Sequence, residues 1–328
     1  MIDRGAVQDA AARIAGRVRR TPVLPPDPSA IDASGRDAPV WYKLEHLQYT
    51  GAFKVRGAFN RILAAQERAE LPPVGIVAAS GGNAGLAFAY VARTIGVPAE
   101  VYVPETAPAV KIAKLRGLGA TVVLAGQEYA DAYQASIKRA DESGALFCHP
   151  YDQVEVCAGQ GTLALELVDQ LAAVGATADT VLVAVGGGGL MAGVAAALEG
   201  AAAVVGVEPD TAPTLHAALA AGEPVDVEVS GPAADALGAR RLGEIAFAVA
   251  TRTGVRSVLV TDENLIAARQ ALWDRYRLAI EHGAAAAPAA LASGRYRPEP
   301  GERVAVILCG ANTDPASLAG GSAGTNGR

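Results

Sequence analysis

Lys54 is the residue of this sequence best suited to covalent chemistry. It lies in the run GAFKVRGA (residues 51–58), where a helical pattern begins behind a glycine and a phenylalanine. A lysine amine can lose its proton and attack a carbonyl carbon, whereas a guanidinium stays protonated. Only five of the 28 basic residues are lysines. Lys54 is therefore a candidate for imine formation, and a solvated lysine at a helix start is the alternative.

Two glycine-rich turns each follow an apolar strand and precede a helix. They are SGGNAG (residues 80–85) and four consecutive glycines (residues 186–189) before Leu190. Backbone amides at a helix start lack intrahelical partners, and the helix dipole attracts anions. The first turn suits a carboxylate, and the Asn83 amide can donate to a phenolate-like oxygen. The second can enclose a phosphate, although each turn alone could be a tight connection, and dinucleotide sites begin similarly.

A third turn, LCGAN (residues 308–312), ends the last apolar strand. It therefore lies at the carboxyl edge of a predicted parallel sheet, where open α/β folds bind their ligands. Cys309 could equally be an inert buried cysteine. Its position at the sheet edge favours a role.

Apolar strands that alternate with helices predict an α/β protein with two doubly wound domains and an active site in the cleft between them. We expect a large domain (1–66 plus 150–318), a small domain (67–149) and a disordered tail (319–328). Residues 222–242 are predicted to be a long irregular connection. The predicted strands are 40–44, 74–77, 99–103, 120–124, 145–147, 179–185, 203–207, 255–260 and 303–308. The predicted helices are 3–17, 54–66, 83–95, 108–117, 128–142, 155–172, 190–199 and 262–280.

Composition restricts the partners and the compartment. The 328 residues carry a net charge of −6 without a basic block, which argues against nucleic acids and anionic membranes and favours small molecules. The three cysteines have no paired spacing, and the N-terminus has no apolar signal core, so we expect a cytoplasmic protein. The uncharged stretch 181–198 contains four glycines, which favour a strand, loop and helix over a membrane span.

Four motifs together resemble the pyridoxal-phosphate (PLP) enzymes of fold type II, and most of all the serine/threonine dehydratases. They are KLE (43–45) leading through Gln48 and Gly51 to FKVRGA (53–58), SGGN (80–83), the four glycines, and CGAN (309–312). The resemblance covers roughly residues 20–314. The resemblance implies that Lys54 forms the imine with PLP, that Phe53 packs on the ring, that Asn83 meets the ring hydroxyl and that Cys309 faces the pyridine nitrogen. It further implies that the phosphate binds to Gly186, Gly187, Gly188, Gly189 and Leu190. The substrate carboxylate would bind to Ser80, Gly81, Gly82 and Asn83.

The resemblance predicts an ammonia-lyase that converts L-serine or L-threonine to pyruvate or 2-oxobutyrate plus ammonia. A thiol makes the pyridine ring a weaker electron sink than a carboxylate does, which favours elimination. The alternatives are a cysteine-synthase-like β-replacement enzyme, a serine racemase and a non-catalytic PLP-binding relative. Racemases have a serine at Gly81, and β-replacement enzymes have a Thr-Ser-Gly-Asn-Thr loop. His282 replaces a frequent proline beside Glu281, whose role is left open, and Pro288 is expected to interrupt the following helix.

The resemblance also implies a monovalent cation site at Glu208, the Ala212 carbonyl and Thr214, because related enzymes hold one metal ion with a glutamate, a carbonyl four residues on and an oxygen side chain six residues on. One carboxylate, a hydroxyl and neutral carbonyls, with Leu237 and Ala239 as further candidates, suit K⁺ better than a divalent ion. The alternative is that Glu208 caps a turn and Thr214 starts a helix. We also expect a homodimer with a catabolic role and no appended regulatory domain, because only 16 residues follow Asn312. The preferred hydroxy amino acid and the pathway stay open.

Overall fold

The computed structural model describes residues 2–27 and 39–319, and most of the tail predicted to be disordered, residues 320–328, lies outside this range. The described chain forms an α/β fold with parallel sheets, as predicted. The strands are β1 (Val23–Leu24), β2 (Val40–Lys43), β3 (Ile76–Ala79), β4 (Ala99–Val103), β5 (Thr121–Leu124), β6 (Leu146–Cys148), β7 (Thr180–Ala184), β8 (Ala203–Pro209), β9 (Arg256–Val260) and β10 (Val304–Ile307). The helices are α1 (Arg4–Arg13), α2 (Lys54–Glu67), α3 (Asn83–Ile95), α4 (Ala109–Gly117), α5 (Tyr129–Ser143), α6 (Val154–Ala172), α7 (Gly189–Leu198), α8 (Thr214–Ala221), α9 (Glu244–Thr253), α10 (Asp262–Tyr276), α11 (Ala286–Ala292) and α12 (Ala316–Ala319).

The large sheet has the strand order β1-β2-β10-β7-β8-β9. Only the short edge strand β1 is antiparallel to its neighbour among the described strands. Strand β10 lies between β2 and β7, so the segments that follow these three strands meet at one carboxyl edge. These segments carry Lys54, Cys309 and the four-glycine turn. The sheet order therefore explains how three motifs that are distant in sequence come together.

The small sheet has the order β5-β4-β3-β6 with all strands parallel. Its strands alternate between two hydrophobic clusters. Ile76 and Ala78 face the cluster that contains α2 and α3, whereas Val77 and Ala79 face the cluster that contains α5. Helices thus cover both faces of this sheet, as a buried parallel sheet requires.

Helix α2, which begins at Lys54, packs against α3 on one side and α6 on the other. Small residues allow the close crossing with α6, because a Cβ atom at Gly57 would lie 2.7 Å from the Val156 carbonyl oxygen. Buried ion pairs fix the start of α2: Arg56, with no exposed side-chain surface, pairs with Glu45 and Glu166 at 2.8 Å each. These contacts position Lys54, two residues before Arg56. The predicted domain boundaries stay a prediction.

The structure differs from the sequence predictions at several helices. Helix α10 ends at Tyr276 and not at residue 280, since Arg277 takes a left-handed conformation with φ of 58°. Helix α9 was not predicted. Pro288 does not interrupt a helix, because it lies in the first turn of α11, where a missing amide hydrogen costs nothing.

Two further predictions concern stretches of unusual composition. Residues 222–243 contain no helix or strand within the described chain apart from an isolated bridge between Asp226 and Arg241. The uncharged stretch 181–198 is strand β7, a glycine turn and helix α7. None of the described helices combines the length and apolar character needed to cross a bilayer.

Candidate active site

Lys54 is the first residue of α2, and the third turn holds the start of this helix in place. The Phe53 amide donates to the Cys309 carbonyl at 3.2 Å. The Lys54 amine donates to the Pro150 carbonyl at 2.8 Å and lies 5.1 Å from the centre of the Phe53 ring. Burial lowers the pKa of this amine to about 8, although Cys157, Cys309 and Glu281 oppose the shift. A much larger fraction of this amine is therefore neutral near physiological pH than for an ordinary lysine.

The four-glycine turn connects β7 to α7, and its backbone is closely packed. A Cβ atom at Gly187 would lie 2.4 Å from the Tyr151 ring, and one at Gly189 would lie 2.6 Å from the Tyr151 carbonyl. Gly188 has a φ of +84°, which side chains rarely adopt. Within the described chain, no protein acceptor takes the amide hydrogens of Gly187, Gly188 and Gly189. The turn thus offers its amides to an anion beside the buried Leu190.

The SGGN turn connects β3 to α3 in the small sheet. The Ser80 hydroxyl accepts from the Gly82 amide at 3.2 Å, and α3 begins at Asn83. A Cβ atom at Gly81 would make only ordinary contacts, 3.6 Å from Val103 and 3.9 Å from Lys111. Gly81 is therefore not required by the backbone, and its missing side chain leaves space in the site.

Asn83 and Asn312, both partly buried, form a polar network around the buried Glu281 carboxyl that joins the two sheets. The Asn83 amide donates to Glu281 at 2.7 Å, and the Asn312 side chain donates to the Asn83 oxygen at 2.5 Å. The Asn312 backbone amide donates to the other Glu281 oxygen at 3.2 Å. This pattern fixes the orientation of the Asn83 amide and leaves one of its hydrogens without a partner in the network.

Glu281 is a site residue whose role sequence reasoning left open. Burial raises the pKa of its carboxyl to about 7, although hydrogen bonds from Asn83 and Asn312 oppose the shift. A Cβ atom at Gly310 would lie 2.1 Å from a Glu281 oxygen, so only glycine allows this approach. In the sequence, the glycine of CGAN indicates that another group approaches the backbone closely at this point, but it does not reveal that this group is the Glu281 side chain.

Two thiols lie close to the Lys54 amine. Cys309 follows β10, and burial raises the pKa of its thiol far above the ordinary range, so the thiol stays protonated. Cys157 on α6 donates to the Tyr151 carbonyl at 3.0 Å, and burial raises its pKa to about 12. Sequence reasoning missed Cys157, because it has no motif and reaches the site only through the packing of α6.

Glu208 and Thr214 also lie together, beside the four-glycine turn. The buried Glu208 carboxylate accepts from the Thr214 hydroxyl at 2.9 Å and from the backbone amides of Leu215 and His216 at 2.6 and 2.9 Å. The Thr214 hydroxyl also lies 2.5 Å from the Gly186 carbonyl oxygen. Burial raises the pKa of Glu208 to about 7. Thr214 starts α8, as the alternative to the cation site expected, but Glu208 caps the start of this helix and not a turn at Pro209. The cation itself stays a prediction.

The fold and the site define a class of protein: a parallel-sheet α/β enzyme with a desolvated lysine amine, a glycine turn with open backbone amides and a buried thiol at one sheet edge. The sequence profile of the family described as "Pyridoxal-phosphate dependent enzyme" matches residues 14–310. The chain belongs to this family, which confirms the predicted family and fold class.

Its relatives include lyases and a racemase. An L-threonine ammonia-lyase of Geobacter sulfurreducens is 37% identical over 315 residues, which are 95% of this chain and 76% of that protein. A phenylserine dehydratase of Ralstonia pickettii is 37% identical over 320 residues, 97% of this chain and 95% of that protein. The solved structure of maize serine racemase matches with a TM-score of 0.87 and 30% identity, and covers 97% of this chain and 96% of its own.

Proposed function

We propose that this chain is a PLP-dependent ammonia-lyase that eliminates water from L-serine, L-threonine or both. The products are pyruvate or 2-oxobutyrate and ammonia. The observation that carries the proposal is the desolvated Lys54 amine beside the protonated Cys309 thiol, at the edge that also carries the four-glycine turn. The similarity to an L-threonine ammonia-lyase over 95% of this chain supports it.

The residues present fit the cofactor. Lys54 would form the covalent link, Phe53 would pack on the ring, and Cys309 would face the ring nitrogen. The free amide hydrogen of Asn83 would donate to the ring hydroxyl, and the open amides of Gly186, Gly187, Gly188 and Gly189, with Leu190 behind them, would hold the phosphate. When bound, PLP supplies an electron-withdrawing ring that acidifies the α-proton of an amino acid.

The protein side chains would then carry out the proton transfers and the orientation. The turn from Ser80 to Asn83, in which the Gly82 amide donates to the Ser80 hydroxyl, would hold the substrate carboxylate at the N-terminus of α3. Lys54, with a pKa of about 8, would take the α-proton. Because the Cys309 thiol stays neutral, it does not keep the ring nitrogen protonated. Loss of the α-proton would then be coupled to departure of the β-hydroxyl group, so that the proton and the hydroxyl group leave together as water, which favours elimination.

The relatives raise two other candidate reactions. The similarity to a serine racemase suggests racemisation, but Gly81 has no hydroxyl that could return a proton to the opposite face. The similarity to a phenylserine dehydratase suggests a larger β-substituent, and the absent side chain at Gly81 leaves space in the site. We therefore infer elimination with a tolerance for larger side chains. The similarity to an L-threonine ammonia-lyase favours elimination over β-replacement and over a non-catalytic PLP-binding relative.

Three finer features belong to the same proposal. K⁺ would bind at Glu208, the Ala212 carbonyl and Thr214, next to the phosphate-binding turn. The functional unit would be a homodimer, and the enzyme would act on free amino acids in the cytoplasm. The acidic net charge of −6 agrees with a small-molecule substrate.

The purified protein with PLP tests the proposal directly. We expect a visible absorbance band that borohydride removes, and release of 2-oxo acid without an added thiol. Turnover of L-serine, L-threonine and L-β-phenylserine would be compared, with D-serine formation as a separate measurement. A band without 2-oxo acid from any of these substrates would contradict elimination, and a requirement for an added thiol would indicate β-replacement.

A further inference from the structure

Lys111 and Asp235 form an ion pair across the predicted substrate site. Lys111 lies on α4, beside the small sheet, whereas Asp235 lies in the connection 222–243 that belongs to the large sheet. The Lys111 Cδ atom lies 3.9 Å from the position of a Cβ atom at Gly81, and the Asp235 carbonyl oxygen lies 3.8 Å from that of a Cβ atom at Gly82. The pair therefore borders the SGGN turn.

The contacts of this pair indicate that a ligand can replace Asp235 as the partner of Lys111. The side chains of Lys111 and Asp235 are 30% and 63% exposed to solvent, and exposed ion pairs contribute little to stability. Asp235 is the only protein partner of the Lys111 ammonium in the described part of the chain. Asp235 is also close enough to Glu281 to affect its ionisation, so the pair borders the polar network as well. A ligand at the SGGN turn would lie beside a cation whose present partner is weakly held.

We propose that Lys111 is a second contact for the α-carboxylate of the substrate, held by Asp235 until the substrate arrives. The inference rests on the proposed function, since it needs an amino acid bound at Ser80 to Asn83. A helix N-terminus supplies only about half a positive charge, and the nearby Asp235 carboxylate repels an anion. The Lys111 ammonium, one methylene beyond Cδ, supplies the missing charge at the required place.

A simpler role would be that Lys111 only neutralises Asp235 or joins the two halves of the chain. Four variants separate these roles: Lys111→Met, Asp235→Asn, the double variant, and Lys114→Met as the control. Lys114 is an exposed lysine one turn further along α4. The measurement is the change in cofactor absorbance on binding glycine, which has a carboxylate, or glycinamide, which has none. Thermal melting checks that each variant folds.

We expect Lys111→Met to weaken glycine binding about tenfold or more, as for the loss of one charge-assisted hydrogen bond. Glycinamide binding and the Lys114→Met control should not change. The double variant should stay weak for glycine, because a direct contact is missing. The KM for L-serine should rise more than kcat falls.

Two results would overturn the inference. If the double variant restored glycine binding, Lys111 would only neutralise Asp235. If glycine and glycinamide lost affinity equally, its role would be structural. Failure of the proposed function looks different: the wild type would bind glycine and distinguish it from glycinamide, but it would release no 2-oxo acid from any hydroxy amino acid.

Discussion

At the scale of single residues, Lys54 combines a desolvated amine with a position directly behind Phe53. Lys54→Ala should abolish both the visible absorbance band and the elimination. Lys54→Arg should do the same, because a guanidinium keeps its proton at the pH of the assay. The control is Lys114→Ala on the exposed face of α4. Spectra with PLP and 2-oxo acid release measure the effect, and normal turnover by Lys54→Ala would disprove the assignment.

Glu281 should make stability depend on pH in a specific direction. Its pKa rises from 4.5 to about 7 in the folded protein, so the protonated form favours folding. This contribution is complete below about pH 4.5 and is lost as the pH rises through about 7. Glu281→Gln stays neutral, so the free energy of unfolding of the variant minus that of the wild type should increase over this range. The free energy of unfolding of Glu281→Gln should itself be lower than that of the wild type. The reason is that the glutamine side-chain amide would face the Asn312 backbone amide, and both groups are donors.

Urea unfolding at about pH 5 and about pH 8 measures this difference. Glu228→Gln is a matched control, since Glu228 is exposed in the irregular connection. A difference between Glu281→Gln and the wild type that is the same at both pH values would show that Glu281 keeps an ordinary pKa.

At the scale of elements, we expect the SGGN turn to set which reaction follows removal of the α-proton. Wild-type protein should form little D-serine from L-serine. Gly81→Ser should fold, because the added Cβ atom makes contacts of 3.6 Å or more, and it should form more D-serine because its hydroxyl can donate a proton. Gly81→Ala is the control for the added volume without the hydroxyl. Chiral chromatography of the products decides, and substantial D-serine from the wild type would be the contrary result.

The sequence predicted the elements with a strong local signal. The strands β3, β4, β5, β7, β8 and β10 are apolar runs, and the turns after β3, β7 and β10 are rich in glycine. The Asn83–Glu281–Asn312 network was not predictable, because it joins residues 198 and 229 positions apart. Helix α9 has only a weak pattern, and the end of α10 depends on the left-handed Arg277.

At the scale of the whole molecule, the candidate site depends on both sheets. The large sheet supplies Lys54, the four-glycine turn and Cys309, whereas the small sheet supplies the SGGN turn. The polar network of Asn83, Asn312 and the buried Glu281, and the exposed pair of Lys111 and Asp235, connect the two. The connections differ in strength, since a buried, fully bonded carboxylate is costly to disrupt and an exposed ion pair is not. Substrate exchange should therefore disturb the exposed pair first.

The predicted cation site would link the four-glycine turn to the rest of the large sheet. The Thr214 hydroxyl contacts both Glu208 and the Gly186 carbonyl oxygen, so a cation at Glu208 would act on the turn through Thr214. Replacing K⁺ by Na⁺ or by a bulky organic cation at constant ionic strength should lower activity or the melting temperature. Glu208→Gln should remove this dependence, and the exposed Glu223→Gln should keep it. Full activity without K⁺, together with Mg²⁺ stimulation that EDTA reverses, would identify a divalent ion instead, because divalent ions prefer hard, strongly charged oxygen ligands.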